Sequence, residues 1–142
     1  MSVDRSILKD NEEQLLRLET LVSSGLDYGV DLHDGWTAAV AFAHMAFWDQ
    51  FQANLLRNWE IGEQLPEEDM DDHLNSVLEP FWQRMVPEVT GQLAIDAARK
   101  INDVVESLSD DKVEALNSLG SQFRLARGRH RREHIDQIER EL

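Results

Sequence analysis

A chain of 142 residues with 42% hydrophobic content is long enough for one domain with a buried core, which excludes wholesale disorder. Fourteen Lys and Arg against 28 Asp and Glu give a net charge of −14, which argues against a protein that draws its affinity from neutralising nucleic-acid phosphates. Cysteine is absent, and with it disulfides, thiolate zinc sites, iron–sulfur clusters and a cysteine nucleophile.

The start, Met1-Ser2-Val3-Asp4-Arg5, runs into polar sequence with no apolar stretch of the kind a signal peptide needs. The longest apolar run, Ala38 to Trp48, is interrupted by His44 and is about half the roughly twenty residues of a membrane span. The expectation is a soluble, cytoplasmic protein with no membrane and no nucleic-acid partner. Charge is uneven along the chain: residues 1–123 carry a net −16 and residues 124–142 a net +2, so a basic segment closes an acidic body.

Helical spacing dominates, and β-type alternation is missing. The first helix is expected from about Asp4 to Ser23, with Leu8, Leu15, Leu18 and Val22 as its buried stripe and Gly25 as its stop. Gly25, Gly29 and Gly35 bracket a turn-rich connection. The second helix, from Trp36-Thr37 to about Trp59, is apolar nearly all round, as a central helix should be. After the acidic loop Pro66-Glu67-Glu68-Asp69 comes a shorter helix, Met70 to Arg84, which Pro80 should kink or end. Pro87 suits the first turn of a third long helix reaching Leu108, with Leu93, Ala97, Ile101, Val104 and Leu108 as its core positions. Ser109 is a plausible cap for a short helix through Leu119, and Gly120 stops it. The last helix is expected from Ser121 to Leu142. Four long helices with short ones between them read as an all-α four-helix bundle, one domain over 1–142.

The chemistry lies with the five histidines. His44 sits in the most apolar helix, among Val40, Phe47, Trp48 and Phe51. A lone histidine in such a place is ordinarily a core residue with one hydrogen bond. His130 and His134 are four apart, so their rings leave one helix face. At about 100° per residue they fall near −80° and −40° from Ile138, with Phe123 near −60°, inside or at the edge of the buried arc. Three neutral imidazoles from two helices can converge in a bundle core, and three protein nitrogens with open positions is the arrangement of a catalytic metal. Imidazole alone does not distinguish zinc, nickel, cobalt or iron(II). His33, in a loop, and His73, in an acidic patch, read as solvated.

Trp36-Thr37, then His44, then Trp48-Asp49 resembles the second-helix signature of the DinB/YfiT-like superfamily. The ending His130-Arg131-Arg132-Glu133-His134-Ile135-Asp136-Gln137-Ile138 resembles that family's terminal H-x-x-E-H-hydrophobic-x-Q-I motif. Asn75, Ala97-Ala98-Arg99 and Leu108-Ser109-Asp110 add weaker likeness between them, so the resemblance covers nearly the whole chain. It implies an up-down-down-up four-helix bundle, a homodimer, and a divalent metal held by His44, His130 and His134. It also implies chemistry like that of thiol-dependent transferases and isomerases, such as mycothiol-dependent maleylpyruvate isomerase and the bacillithiol transferases. A low-molecular-weight thiol would then be a second cofactor. The segment Ser109–Arg129 departs from the pattern, because it lacks the extra loop and aromatics that some enzymatic members carry before the last helix.

His130-x-x-Glu133-His134 is also the inverzincin pattern of metallopeptidases. That chemistry needs a further protein ligand downstream, and only eight residues follow His134, all assigned to the same helix. Glu133 points about 100° from His134. Arg124, Arg127, Arg129, Arg131 and Arg132 crowd the same turns. They read either as a solvated face balancing nearby acids or, for Arg127 and Arg131 on the inward arc, as contacts to an anionic small-molecule substrate. The leading expectation is a metal-dependent transferase, isomerase or hydrolase in which Asp49 and Glu133 orient the ligand imidazoles from behind. The alternative is a non-catalytic bundle that binds a metal or small ligand, or dimerises.

Overall fold

The second helix sets the architecture, because its sequence is apolar on every side and has to be covered on every side. In a computed structural model, which describes residues 3–142, it is one of six α-helices, with longer loops over 24–37 and 61–70 and short connections elsewhere. They are α1 (Ile7–Ser23), α2 (Ala38–Glu60), α3 (Asp71–Trp82), α4 (Pro87–Ser107), α5 (Asp110–Ser118) and α6 (Arg127–Glu139), with one 3-10 turn at Gln122–Arg124. No strand forms among the described residues; one isolated bridge pairs Asp31 with Thr37. The fold is all-α. The Met1-Ser2 part of the N-terminal reading lies outside the described residues.

Small residues let the helices approach. Ala38, Ala41 and Ala53 of α2 and Ala94 and Ala98 of α4 are buried to the last few per cent, and these two helices share the largest contact in the molecule. Helix α1 packs on α4 and α6, and α6 also touches α2. The core has two large clusters and a smaller one, Val40, Ala43 and Trp82, between α2 and α3. Leu15, Leu18, Phe42, Met45, Ile95, Ile135 and Ile138 fill one end; Leu56, Ile101, Val104, Val113, Leu116 and Leu125 fill the other. Each large aliphatic or aromatic side chain fully buried there contributes about 1.5–3 kcal/mol.

The caps follow the sequence where side chains could make them. Thr37 accepts from the Val40 N–H at the start of α2, and Ser109 accepts from the Lys112 N–H at the start of α5. Gly25 and Gly120 take positive φ, 74° and 70°, just beyond α1 and α5. Pro80 lies inside α3, which runs only two residues past it.

Three expectations are corrected. Helix α1 begins at Ile7 rather than Asp4, because the Asp4 carboxylate accepts from the Ser6 N–H and Arg5 turns away to Asp110 and the Leu108 carbonyl. Leu93 is 40% exposed, since α4 turns Ala94 and Ile95 inward instead. The last helix begins at Arg127, not Ser121. The chain takes a 3-10 turn over Gln122–Arg124, with Arg124 and Leu125 both buried, and restarts as an α-helix at Arg127. Phe123 therefore leaves the inward arc and is half exposed.

Candidate metal centre

Helix α2 contributes His44, and the first two turns of α6 contribute His130 and His134. Their Nε2 atoms converge: His44 to His130 is 3.0 Å and His134 to His130 is 3.2 Å. One nitrogen from each ring lies within 4.8 Å of the other two, so the group could hold a metal ion. Nitrogens about 2.0–2.1 Å from one divalent ion stand roughly 2.9–3.4 Å apart in octahedral or tetrahedral geometry, which matches both close pairs.

Protons alone serve this arrangement poorly. The in-plane position on His130 Nε2 is either one lone pair or one N–H, so it can bond one neighbouring imidazole but not two. Adding protons does not help, because burial disfavours the charged ring at all three positions. His44 is pushed down to about 3, by burial first and then by His134, with Asn75 opposing and Arg127 adding to the fall. His130 is held well below its ordinary range by burial, with His134, Arg127, His44 and Arg131 adding repulsion. His134 is lowered by burial, while Gln137, Glu133 and Asp34 pull the other way. Neutral rings with converging lone pairs are what a divalent ion requires.

The surroundings of the rings are unequal. His134 Nδ1 faces Gln137 Oε1 at 3.3 Å, and the Gln137 amide donates to Asp34 at 2.6 Å, a relay that orients the ring. The Nδ1 atoms of His44 and His130 are buried and find no partner of good geometry. Trp36 covers one side, 4.8 Å from the His44 ring and stacked 6.2 Å from His134, while Trp82 meets His44 edge-on at 5.4 Å. The loop between α1 and α2 delivers Trp36 by backbone bonds, Leu32 N–H to the Trp36 carbonyl and Ala38 N–H to the Val30 carbonyl. On the other side His44 and His130 border a cavity of about 120 Å³, whose wall includes Trp48, Asp71, Asn75 and Arg127. Trp48 Nε1 donates to Asn75 Oδ1 at 2.7 Å, which fixes that wall.

Several expected roles fall elsewhere. Asp49 touches neither imidazole. It accepts from Arg127 Nε at 2.9 Å and Arg131 Nε at 3.3 Å, and all three side chains are at most 8% exposed. Burial draws the Arg131 guanidinium's pKa down, and Asp49 counters it. Glu133 is exposed and reaches His134 only through its charge. The arginine-rich segment is a solvated face only in part: Arg129 is exposed and Arg132 half-exposed, but Arg124, Arg127 and Arg131 are buried, and Arg124 holds Asp69 through both Nη atoms and Gln52 through one. His33 and His73 are exposed, as expected. In the sequence Gln137 has no role of its own beyond the terminal motif, and Asp71, with Asp72 and the acid run before it, reads as part of a loop face rather than a wall of the site. Gln137 had a signal, since it lies three residues after His134 on the same helix face; Asp71 had none.

No helix among the described residues is long and apolar enough to cross a membrane. No protein-family model, curated protein or solved structure matches this chain.

Proposed function

We propose that the chain is a divalent-metal-dependent enzyme of the DinB/YfiT-like class, with His44, His130 and His134 as the ligands of zinc, nickel or iron. The observation that carries this reading is the convergence of three neutral Nε2 atoms, of which His130 Nε2 can pair with only one of its two neighbours by a hydrogen bond. An ion bound there supplies Lewis acidity, which brings the pKa of a thiol or water toward neutrality. Helices α1, α2, α4 and α6 form an up-down-down-up four-helix bundle in this reading, which works as a homodimer in the cytoplasm.

The chain's own residues do the rest. His134 is oriented through Gln137 and Asp34. Trp36 and Trp82 exclude water from the covered side of the rings. The cavity beside His44 and His130 favours catalysis over a closed structural site, because it leaves room for a reactant next to the ligands. Its volume, about 120 Å³, accepts the reacting end of a thiol or a few waters rather than a whole large substrate.

The test is elemental analysis of untagged protein beside single His44→Ala, His130→Ala and His134→Ala variants. Near-stoichiometric zinc, nickel or iron, lost in each variant, is the expected result, followed by a screen of thiol-dependent transfer reactions. Protein that takes up no divalent ion would overturn the enzyme and leave a bundle that binds or dimerises.

A further inference from the structure

The cavity at the histidines has a second pole. Arg127 lines it, in the first turn of α6, with a side chain only 8% exposed. Its Nε donates to Asp49 at 2.9 Å and its Nη1 to the Phe123 carbonyl at 3.3 Å, while Nη2 takes no partner among the described residues. Arg131 differs: Nε goes to Asp49, Nη1 to the Asn11 carbonyl and Nη2 to the Ala98 carbonyl, so every nitrogen is committed to protein. Asp49 is the one carboxylate that both Arg127 and Arg131 contact directly, whereas Arg124 holds Asp69. Glu12 adds charge compensation to Arg131, and Asp71, on the same cavity wall, acts on Arg127 through its charge alone, without a hydrogen bond. Arg127 therefore keeps donor capacity that no direct contact uses. A buried guanidinium that lines a cavity, with Nε and Nη1 engaged and Nη2 left over, keeps a charged, planar N–H donor for a carboxylate.

The shape of the entrance narrows the class of ligand. Room for about four waters, at roughly 30 Å³ each, admits a group of few heavy atoms. Asp71 lines both this cavity and the adjoining groove bordered by Glu67, Glu68, Asp69 and Asp72, and it makes no ion pair among the described residues. It lies near enough for Arg127 to influence its charge. Such an approach repels polyanions and tolerates a ligand with a single carboxylate or a zwitterion.

We propose that Arg127 binds the carboxylate of a small singly anionic or zwitterionic ligand whose other end reaches the histidine cluster from the side of His44 and His130. The second half rests on the metal reading; the contact to Arg127 does not. The test follows the Arg127 Nε–H and Trp48 indole N–H signals by NMR while the full chain is titrated with sodium acetate, acetamide or sodium chloride at matched ionic strength. It is run on EDTA-treated and on zinc-treated protein. Acetate should give a saturable shift in both, acetamide and chloride none. Arg127→Lys, which keeps a cation beside Asp49 but lacks the planar guanidinium that holds Nη2 in place, should bind acetate about tenfold more weakly.

Absence of a saturable acetate shift in either sample overturns the proposal, as does an equal response to acetamide, which requires no variant to fold. A folded Arg127→Lys that binds acetate like the native chain also overturns it. Zinc stoichiometry on the same samples judges the metal separately. Acetate binding without zinc uptake supports the Arg127 site and removes the metal; zinc uptake without acetate binding does the reverse.

Discussion

Asp49 is the single anion between two guanidiniums that water barely reaches. Removing its carboxylate strands both charges, so Asp49→Ala is expected to cost about 3–5 kcal/mol, read as a lower urea midpoint with an unchanged slope. The half-exposed pair of Arg132 and Asp10 sets the contrast: Asp10→Ala should lower the unfolding free energy by less than about 1 kcal/mol in the same urea titration. The histidines give the pH dependence of the metal-free chain. An unfolded histidine takes its proton near 6.5, whereas folded His44 waits until about 3 and His130 and His134 are also lowered. Between those values the unfolded chain binds more protons. Stability present above about pH 6.5 is therefore lost as the pH falls toward 3. Urea midpoints of EDTA-treated protein should drop between about pH 7 and about pH 5, and drop less when the three histidines are replaced by glutamine.

At the scale of elements, α6 is held close to α1 by a missing side chain. A Cβ at Gly128 would stand 2.9 Å from the backbone carbonyl carbon and oxygen of Asp10, and the Gly128 N–H donates to Asn11 at 2.8 Å. Backbone yields less readily than a flexible side chain. Gly128→Ala should cost about 1–3 kcal/mol and, by moving α6, weaken zinc binding at His130; calorimetry and a competition titration check the two effects. The same helix shows where sequence reasoning stops. Apolar periodicity and caps located α2, α4 and α5 to within a few residues, because Thr37, Pro87 and Ser109 act on their own neighbours. The restart at Arg127 depends on Arg124 reaching Asp69, 55 residues away, and on Arg127 reaching Asp49, 78 residues away. Local pattern carries no trace of such pairings. Buried arginines are also the exception that composition argues against, which is why the segment could be read as a solvated face.

For the whole molecule, the gathering of His44, His130 and His134 was legible, since an i,i+4 pair on a buried arc and a histidine in the most apolar helix have few other places to go. Their surroundings were not, because Asp71, Trp36 and the Gln137 relay arrive from different elements. Two of the converging rings lie 86 residues apart in the chain. An ion shared between α2 and α6 would act as a reversible cross-link over that distance, and its stabilisation grows with the logarithm of free ion above the dissociation constant. Opening of α6 should then be governed by the supply of ion rather than by packing alone. Trypsin cleavage at Arg129 and amide exchange over 127–139 should slow in zinc and quicken in EDTA, while α4 amides exchange at an unchanged rate under conditions where only α6 opens. The last helix becomes a latch, and the pattern of cuts along it a record of how much metal the protein has met.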